Sequence, residues 1–331
     1  MEINLDNIDK SLLNIIQAEF PLHEEPFSVL GQQLGVVSDE VIRRVERLKA
    51  GKIIRLIGPV FNARKLGYQT TLIAMKVAAK RLNEAANIMN AHPCVSHCYE
   101  RDHDFNLWFT MAMPSEKNLE NGLHELGNEI QADATVNLPA TKVFKIGAYF
   151  NLGSGNLAAP KANIDDTNIL DKNGDLSPID RAVINELQQD LPLISRPFDS
   201  MSVHLSMNVA EFLNHCRALI QRRIMRRFSA SVSHNRLGFV ANAMTCWKVP
   251  VEAVEAAGTK IARFPEVSHC YERKTCSLWS YNLFAMIHAD TKKACEAIAG
   301  DITSKTGLDK TKVVLLFSTK EIKKTRILYP V

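Results

Sequence analysis

The chain is written twice. Ile8-Asp9-Lys10 returns as Ile179-Asp180-Arg181, and Phe20-Pro21-Leu22 returns as Leu191-Pro192-Leu193. Pro26-Phe27 returns as Pro197-Phe198 and Leu66-Gly67-Tyr68 as Leu237-Gly238-Phe239, all at one spacing of 171 residues. Val95-Ser96-His97-Cys98-Tyr99-Glu100-Arg101 is repeated without a change as Val267 to Arg273, one residue further on. Copy two then gains about four residues, so that Asn106-Leu107 matches Asn282-Leu283. Two copies fill nearly all of the 331 residues, and residues 152–175, rich in Gly, Asn, Ala and Asp, read as the linker between them.

Each copy divides again by its hydrophobic period. Residues 6–19 place Ile8, Leu12, Leu13, Ile15 and Ile16 on one helical face, and a second short helix covers 26–34. Ser38 is placed to cap a third helix whose buried stripe is Val41, Ile42, Val45 and Leu48, and Gly51 stops it. Residues 53–57 then read as a short wing, so the first part of each copy has the pattern of a winged helix-turn-helix. The rest alternates as strand 69–77, helix 81–91, strands 94–100 and 105–113, helix 116–130 and strand 136–149. Copy two follows at 239–249, 251–263, 267–273, 281–288, 291–304 and 311–328. This β-α-β-β-α-β order is a ferredoxin-like unit.

The predicted class is α+β. Helix-turn-helix domains are expected at 1–60 and 176–230, and ferredoxin-like domains at 61–151 and 231–331. A four-stranded sandwich has an open face to bury, so the two copies are expected to pack sheet against sheet as an internal pseudo-dimer. Whether such units pair further as a homodimer stays open at this point.

Composition narrows the setting. Hydrophobic residues at 46% and charged residues at 23% leave ample material for a core and exclude a disordered chain. No run of about 18 apolar residues is present, and the start MEINLDNIDK is acidic and polar, so a cytoplasmic protein with no membrane partner is expected. A net charge of +4 is too small to imply nucleic acid by itself. The seven cysteines form no C-x-x-C pair and read as reduced, buried thiols rather than metal ligands.

A helix-turn-helix feeding a ferredoxin-like sandwich resembles the Lrp/AsnC regulators, through Leu5-Asp6, Asp9, Leu34-Gly35, Ser38, Arg47-Leu48, Gly51-Lys52-Ile53 and Leu66-Gly67. A narrower resemblance is to the siroheme decarboxylases, which share that fold. It rests on Phe20-Pro21-Leu22 with Pro26-Phe27, Arg226-Arg227-Phe228, His234 with Leu237-Gly238-Phe239, and Asn242-Ala243-Met244 with Trp247. Ser268-His269-Cys270-Tyr271-Glu272-Arg273, followed by Tyr281-Asn282-Leu283, completes it. That family works as two related subunits or as their fusion. The resemblance implies removal of the carboxylates of two acetate side chains of siroheme, giving 12,18-didecarboxysiroheme on a route to heme or heme d1. Siroheme would be substrate and would carry the only iron; no other cofactor is called for, and no Gly-rich phosphate loop is present.

The repeated septet suits that chemistry. Strand alternation puts His97, Tyr99 and Arg101 on one face, and His269, Tyr271 and Arg273 on its counterpart, with Cys98 and Glu100 opposite. Arginine holds carboxylate bidentately and keeps its charge, so Arg101 and Arg273 are expected to anchor the substrate. Loss of carbon dioxide leaves an electron pair that the conjugated macrocycle accepts, and a histidine near neutral pKa suits the later delivery of a proton. His269 is assigned as proton donor or iron ligand in one site and His97 as its equivalent in a second, with Tyr99 and Tyr271 positioning the leaving group. A satisfied structural histidine is the plainer alternative for each.

The copies differ where a site could specialise. His234 stands where copy one has Ala63, and Asn242 and Trp247 where it has Thr71 and Met75 or its neighbour. Trp279, Tyr281 and Asn282 surround the longer loop of copy two; Asn106 and Trp108 lie at the matching place in copy one. His234 is a further candidate catalytic residue, with a surface-loop histidine as its plainer alternative; the others are candidate substrate contacts, although the tryptophans could equally be core. In the basic run Arg217, Arg222, Arg223, Arg226 and Arg227, three readings compete: phosphate tracking, substrate carboxylates and a solvated face. Arg226 and Arg227, with Arg55 as the matching residue of copy one, favour carboxylates. A transcription regulator with a small-molecule effector is the rival function. Against it, copy two loses the turn glycine at Leu205-Ser206-Met207-Asn208 and places His215-Cys216 within its third helix, so nucleic acid is not the expected partner.

Overall fold

The computed structural model describes residues 4–147, 149–153 and 175–331; most of the expected linker, residues 154–174, lies outside them. Copy one runs α1 (Asn7–Ala18), α2 (Pro26–Leu34), α3 (Ser38–Ala50), β1 (Ile54–Phe61), β2 (Tyr68–Lys76), α4 (Leu82–Ala91), β3 (Val95–Arg101), β4 (Leu107–Pro114), α5 (Leu119–Ile130), β5 (Ala134–Leu138) and β6 (Ala140–Ile146). Copy two runs α6 (Pro178–Leu187), α7 (Phe198–His204), α8 (Val209–Gln221), β7 (Met225–Val232), β8 (Ala241–Trp247), α9 (Val251–Ala262), β9 (Val267–Arg273), β10 (Leu283–Ala289), α10 (Lys292–Thr306) and β11 (Val313–Lys324). Among the described residues no helix is long and apolar enough to cross a membrane.

The repeated Ile-Asp pair has a structural cause. Asp9 and Asp6 cap α1 reciprocally, and the buried Asp9 carboxylate also takes Arg44 at 2.8 Å and Arg47 at 2.5 Å. Asp180 does the same for α6 with Ser177, and binds Arg222 at 2.8 Å. At the start of α3, Val37 and not Ser38 occupies the cap position and no side chain caps the helix. The turn before it has Gly35 at φ +70°, and the matching residue of copy two, Ser206, is held at φ +56°. Copy two therefore keeps the helix-turn-helix despite its missing glycine, and α8 runs unbroken through His215 and the buried Cys216. A side chain in the left-handed region is strained. Ser206→Gly should stabilise the fold by about 0.5–1 kcal/mol, the relief being partly offset by a looser unfolded chain. A urea midpoint unchanged or lowered by this substitution would show that Ser206 is unstrained.

The two helical domains are one body. Phe20, Phe27, Phe198, Phe212 and Phe228 share a single core, Phe20 meeting Phe228 at 6.0 Å between centroids. The wings are longer than expected, and they pair with each other: β1 runs antiparallel to β7, with Ile57 opposite Ala230.

The sheets are also joined across the copies. Strand order is β5-β2-β4-β3-β11-β8-β10-β9-β6. The first half of β11 pairs with β8 of its own copy, and the second half pairs with β3 of the other, setting Lys324 opposite His97. In the same way β5 pairs with β2 while β6 crosses to β9, setting Ile146 opposite His269. The single strand expected at 136–149 is thus two, divided at Pro139, which has no N–H for a ladder. Because the end strands β5 and β6 are successive, the sheet closes on itself as two facing halves with exchanged strands. Phe144 of β6 is buried in the outer core of copy two, where a Cβ on Gly258 of α9 would come within 2.4 Å of its ring. Helices α4 and α5 cover one half from outside, α9 and α10 the other, and the inner faces meet through Trp108, Leu138, Met244, Trp279, Phe284 and Leu316.

Candidate functional site

Alternation along β3 and β9 sends Cys98 and Cys270 to the outer cores, so the His-Tyr-Arg rows face inward. Both rows line one cavity of about 1020 Å³ between the two halves of the sheet, under the paired wings. The two separate sites expected from the sequence are therefore a single chamber. Its lining includes His97, Tyr99, Arg101, His269, Tyr271 and Arg273, together with Arg55, Arg226, Arg227, His234, Asn242 and Trp108. Arg64, Arg326, Lys324 and His288 join them, none of which the sequence reading had singled out. Among the described residues, eight lining side chains are arginine or lysine, and none is aspartate or glutamate.

Arg101 and Arg273 are the electrostatic centre of this chamber. Each donates one guanidinium N–H to a backbone carbonyl of a strand in the other copy, Arg101 to Leu316 at 2.6 Å and Arg273 to Leu138 at 2.8 Å. Each lies over the tyrosine two residues earlier, at 5.5 Å for Tyr99 and 4.8 Å for Tyr271. Neither has a carboxylate partner among the described residues, and each keeps a buried Nε without a hydrogen bond. Burial pushes both guanidinium groups down to about 10. A charge enclosed at this cost with its fork unfilled is the shape of an anion site.

The cations and the enclosure also act on the histidines. Burial, then Lys324 and Arg55, pushes His97 down to about 4; burial, then His97 and Arg227, pushes His269 to about 3. His234 is lowered and His288 well lowered, again chiefly by burial. With these shifts all four rings favour the neutral form at neutral pH. The unfolded rings titrate near 6.5, so below that pH the unfolded chain binds protons that the folded chain refuses. Stability should be flat above about pH 6.5 and fall as pH drops toward 5, before most carboxylates titrate. A urea midpoint that holds steady across that interval would contradict the enclosure of these rings.

The histidines are tied in by neighbours. His97 Nδ1 meets Ser96 Oγ at 2.9 Å, and His269 Nδ1 meets Ser268 Oγ at 2.9 Å. His234 Nδ1 donates to the Phe239 carbonyl at 3.0 Å, and its ring lies 4.9 Å from that of His288, with Phe150 against both. Copy one has Ala63 and Ala112 at these two positions, so the His234–His288 pair occurs once in the molecule.

Several expected contacts lie elsewhere. Asn106 and Asn282 are outside the cavity and clamp backbone instead: each amide bonds both the N–H and the carbonyl of one residue, Val77 and Val249, at 2.8 to 3.0 Å. Trp247 is fully buried in the outer core of copy two, its indole N–H on Thr303 Oγ1 at 2.9 Å. Trp279, with Tyr281 against it, packs on Trp108 at 5.0 Å between centroids and forms part of the inner apolar cluster beside the cavity. In the basic run, Arg217 binds the Leu22 carbonyl and Arg222 binds Asp180, which leaves Arg226 and Arg227 as the members that reach the cavity. Arg55 reaches it too, while pairing with Glu321 at 3.2 Å.

The comparisons with known proteins agree with this architecture. A family profile described as the siroheme decarboxylase NirDL-like HTH domain matches residues 9–55 and 180–226, and an AsnC-like ligand binding domain matches 65–145 and 236–323. The chain is 40% identical over 319 residues to a siroheme decarboxylase of Hydrogenobacter thermophilus, covering 96% of this chain and 93% of that one. It is 34% identical to a siroheme decarboxylase NirDL subunit of Paracoccus denitrificans, with 96% of each covered. The fold superposes on the crystal structure of the siroheme decarboxylase NirDL in co-complex with an iron-uroporphyrin III analogue, with a TM-score of 0.71 at 37% identity, covering 98% of this chain and 95% of that one. The twin helix-turn-helix and AsnC-like units are those of the siroheme decarboxylase family, to which this chain belongs.

Proposed function

We propose that this chain is a siroheme decarboxylase that binds one macrocycle in the shared chamber and converts two of its acetate side chains to methyl groups. The observation that carries this is the chamber's lining, which among the described residues has eight arginine or lysine side chains and no carboxylate around a volume of about 1020 Å³. Siroheme is a flat macrocycle bearing eight carboxylates, so its charge matches the lining. The product is 12,18-didecarboxysiroheme, a precursor on the way to heme or heme d1.

Arg101 and Arg273 hold carboxylates at the strand ends, and Arg55, Arg226 and Arg227 hold others beneath the wings. Enclosure excludes water and keeps these contacts strong. In the chemical step the bond between the acetate methylene and its carboxyl carbon breaks, carbon dioxide leaves, and the electron pair spreads into the macrocycle. A proton from an imidazole N–H, with His269 the foremost candidate, then makes the methyl group. Bound carboxylates oppose the field of Lys324, Arg55 and Arg227, so substrate entry raises the histidine pKa values toward the range where proton delivery is effective. The reaction needs no electron carrier, and the iron enters as part of the substrate.

The helix-turn-helix surfaces favour the enzyme over the regulator. On α3, Arg43, Arg44 and Arg47 are paired with Glu40, Asp6 and Asp9, so the charges that would meet phosphates are already satisfied. The test is anaerobic incubation of the purified protein with siroheme, followed by mass spectrometry of the extracted pigment. Loss of two carbon dioxide units supports the proposal, and loss of one limits it to a single decarboxylation. A bound pigment of unchanged mass overturns it in favour of a tetrapyrrole sensor.

A further inference from the structure

The two copies of the septet differ in what stands behind their histidines. In copy one the contact ends at a serine: His97 Nδ1 meets Ser96 Oγ, and the residue of β4 that matches His288 is Ala112. In copy two Ser268 Oγ lies 2.9 Å from His269 Nδ1 and also 3.0 Å from Nε2 of His288 on β10. A serine hydroxyl has one hydrogen to give. Its third neighbour, the Met286 carbonyl, is 3.4 Å away, too long to compete with a 2.9 Å contact.

The hydrogen positions follow from what is left over. His288 Nδ1 is buried with no protein partner among the described residues. If Ser268 gave its hydrogen to His288, that Nδ1 would be a buried, unsatisfied N–H, a rare and costly state. If instead His288 Nε2–H donates to Ser268 and Ser268 donates to His269 Nδ1, the orphan is only a bare lone pair. His269 then carries its own hydrogen on Nε2, the nitrogen left for the chamber. We infer that Ser268 and His288 are positioning residues that set His269, and not His97, as the proton donor, and that they relay protons to it.

This rests on the decarboxylase reading and specifies which copy completes the reaction. The transfer balances on one solvent proton taken up by the array when substrate binds. The Nε2–H of His269 passes to the carbanion, the Ser268 hydrogen moves to His269 Nδ1, and the Nε2–H of His288 moves to Ser268. The added proton remains on His288 Nδ1, so both rings finish neutral and in the opposite, less favourable tautomer, and revert to the resting one before the next turnover. Lys324, Arg101, His234 and His269 are the charged or titratable groups that act on His288.

Two measurements test the inference. Nitrogen-15 NMR of the ligand-free protein near neutral pH, with His269 assigned by comparison with H269Q, should show His269 as the Nε2–H tautomer; the Nδ1–H tautomer would overturn the inference without using any activity. In siroheme turnover, His288→Gln keeps an N–H donor for Ser268 but cannot pass a proton on. It should lower kcat roughly 10- to 100-fold with KM within about twofold, and His288→Ala should recover part of the loss with added imidazole. A kcat for H288Q equal to that of the wild type would refute the relay. A wild-type protein that does not turn siroheme over would instead refute the decarboxylase reading, leaving the tautomer result to stand alone.

Discussion

His269→Ala should abolish methyl formation while leaving the pigment bound. Its ring occupies the chamber and offers its outer nitrogen to whatever lies there, while the inner one is held by Ser268 at 2.9 Å. Losing a positioned general acid costs about 10²- to 10⁴-fold in rate, and the loss belongs in kcat because the carboxylate anchors are untouched. The same change at His97 should cost less, because its hydrogen bond stops at Ser96 and nothing stands behind to resupply a proton. Single-turnover extraction and mass spectrometry would show unreacted siroheme with H269A at times when the wild type is complete. A rate within about threefold of wild type would remove His269 from the chemistry and return it to the role of a wall.

Arg101→Met and Arg273→Met should move binding and stability in opposite directions. With no substrate present each guanidinium is enclosed, unpaired with any acid among the described residues, and held by one backbone carbonyl and the face of its neighbouring tyrosine. Replacing such a charge with an apolar side chain of similar length should stabilise the empty protein by about 1–2 kcal/mol. The same change leaves a substrate carboxylate unpaired in an enclosed site, at a cost of about 2–5 kcal/mol, or roughly 30- to several-thousand-fold in affinity. Melting curves with and without siroheme read both effects at once: a higher melting temperature for the empty variant, and a much smaller rise on adding pigment. If the empty variants melt lower than the wild type, the arginines are braces for the exchanged strands and their bonds to Leu316 and Leu138 are what matters.

How much of this was legible in the sequence depended on whether a feature is local. The repeat, the helices and the inward-facing rows could be read because period and spacing are local, and His97, Tyr99 and Arg101 needed only alternation. The exchange of strands could not be read. Alternation says which face of a strand a residue takes but not which strand it lies beside, so Lys324 opposite His97 is invisible until β11 is placed. The signal that could have been used was Pro139, in the middle of what looked like one strand. Asn106 and Asn282 were misleading for a related reason: repetition in both copies marks a shared need, and here the need is to clamp a strand end. His288 was missed because its counterpart is Ala112, and a search for what the copies share passes over what only one of them has.

The exchanged strands also bear on why a fused gene product suits this architecture. Neither half can complete its sheet alone, since β6 and β11 each finish the other's edge. Two free-standing polypeptides of such similar shape would sort into three pairings, and only the mixed one would carry a single copy of the His234–His288 pair. Tethering removes the choice. Each molecule receives one half of each kind, and mutation can then make the halves less alike without producing mismatched partners.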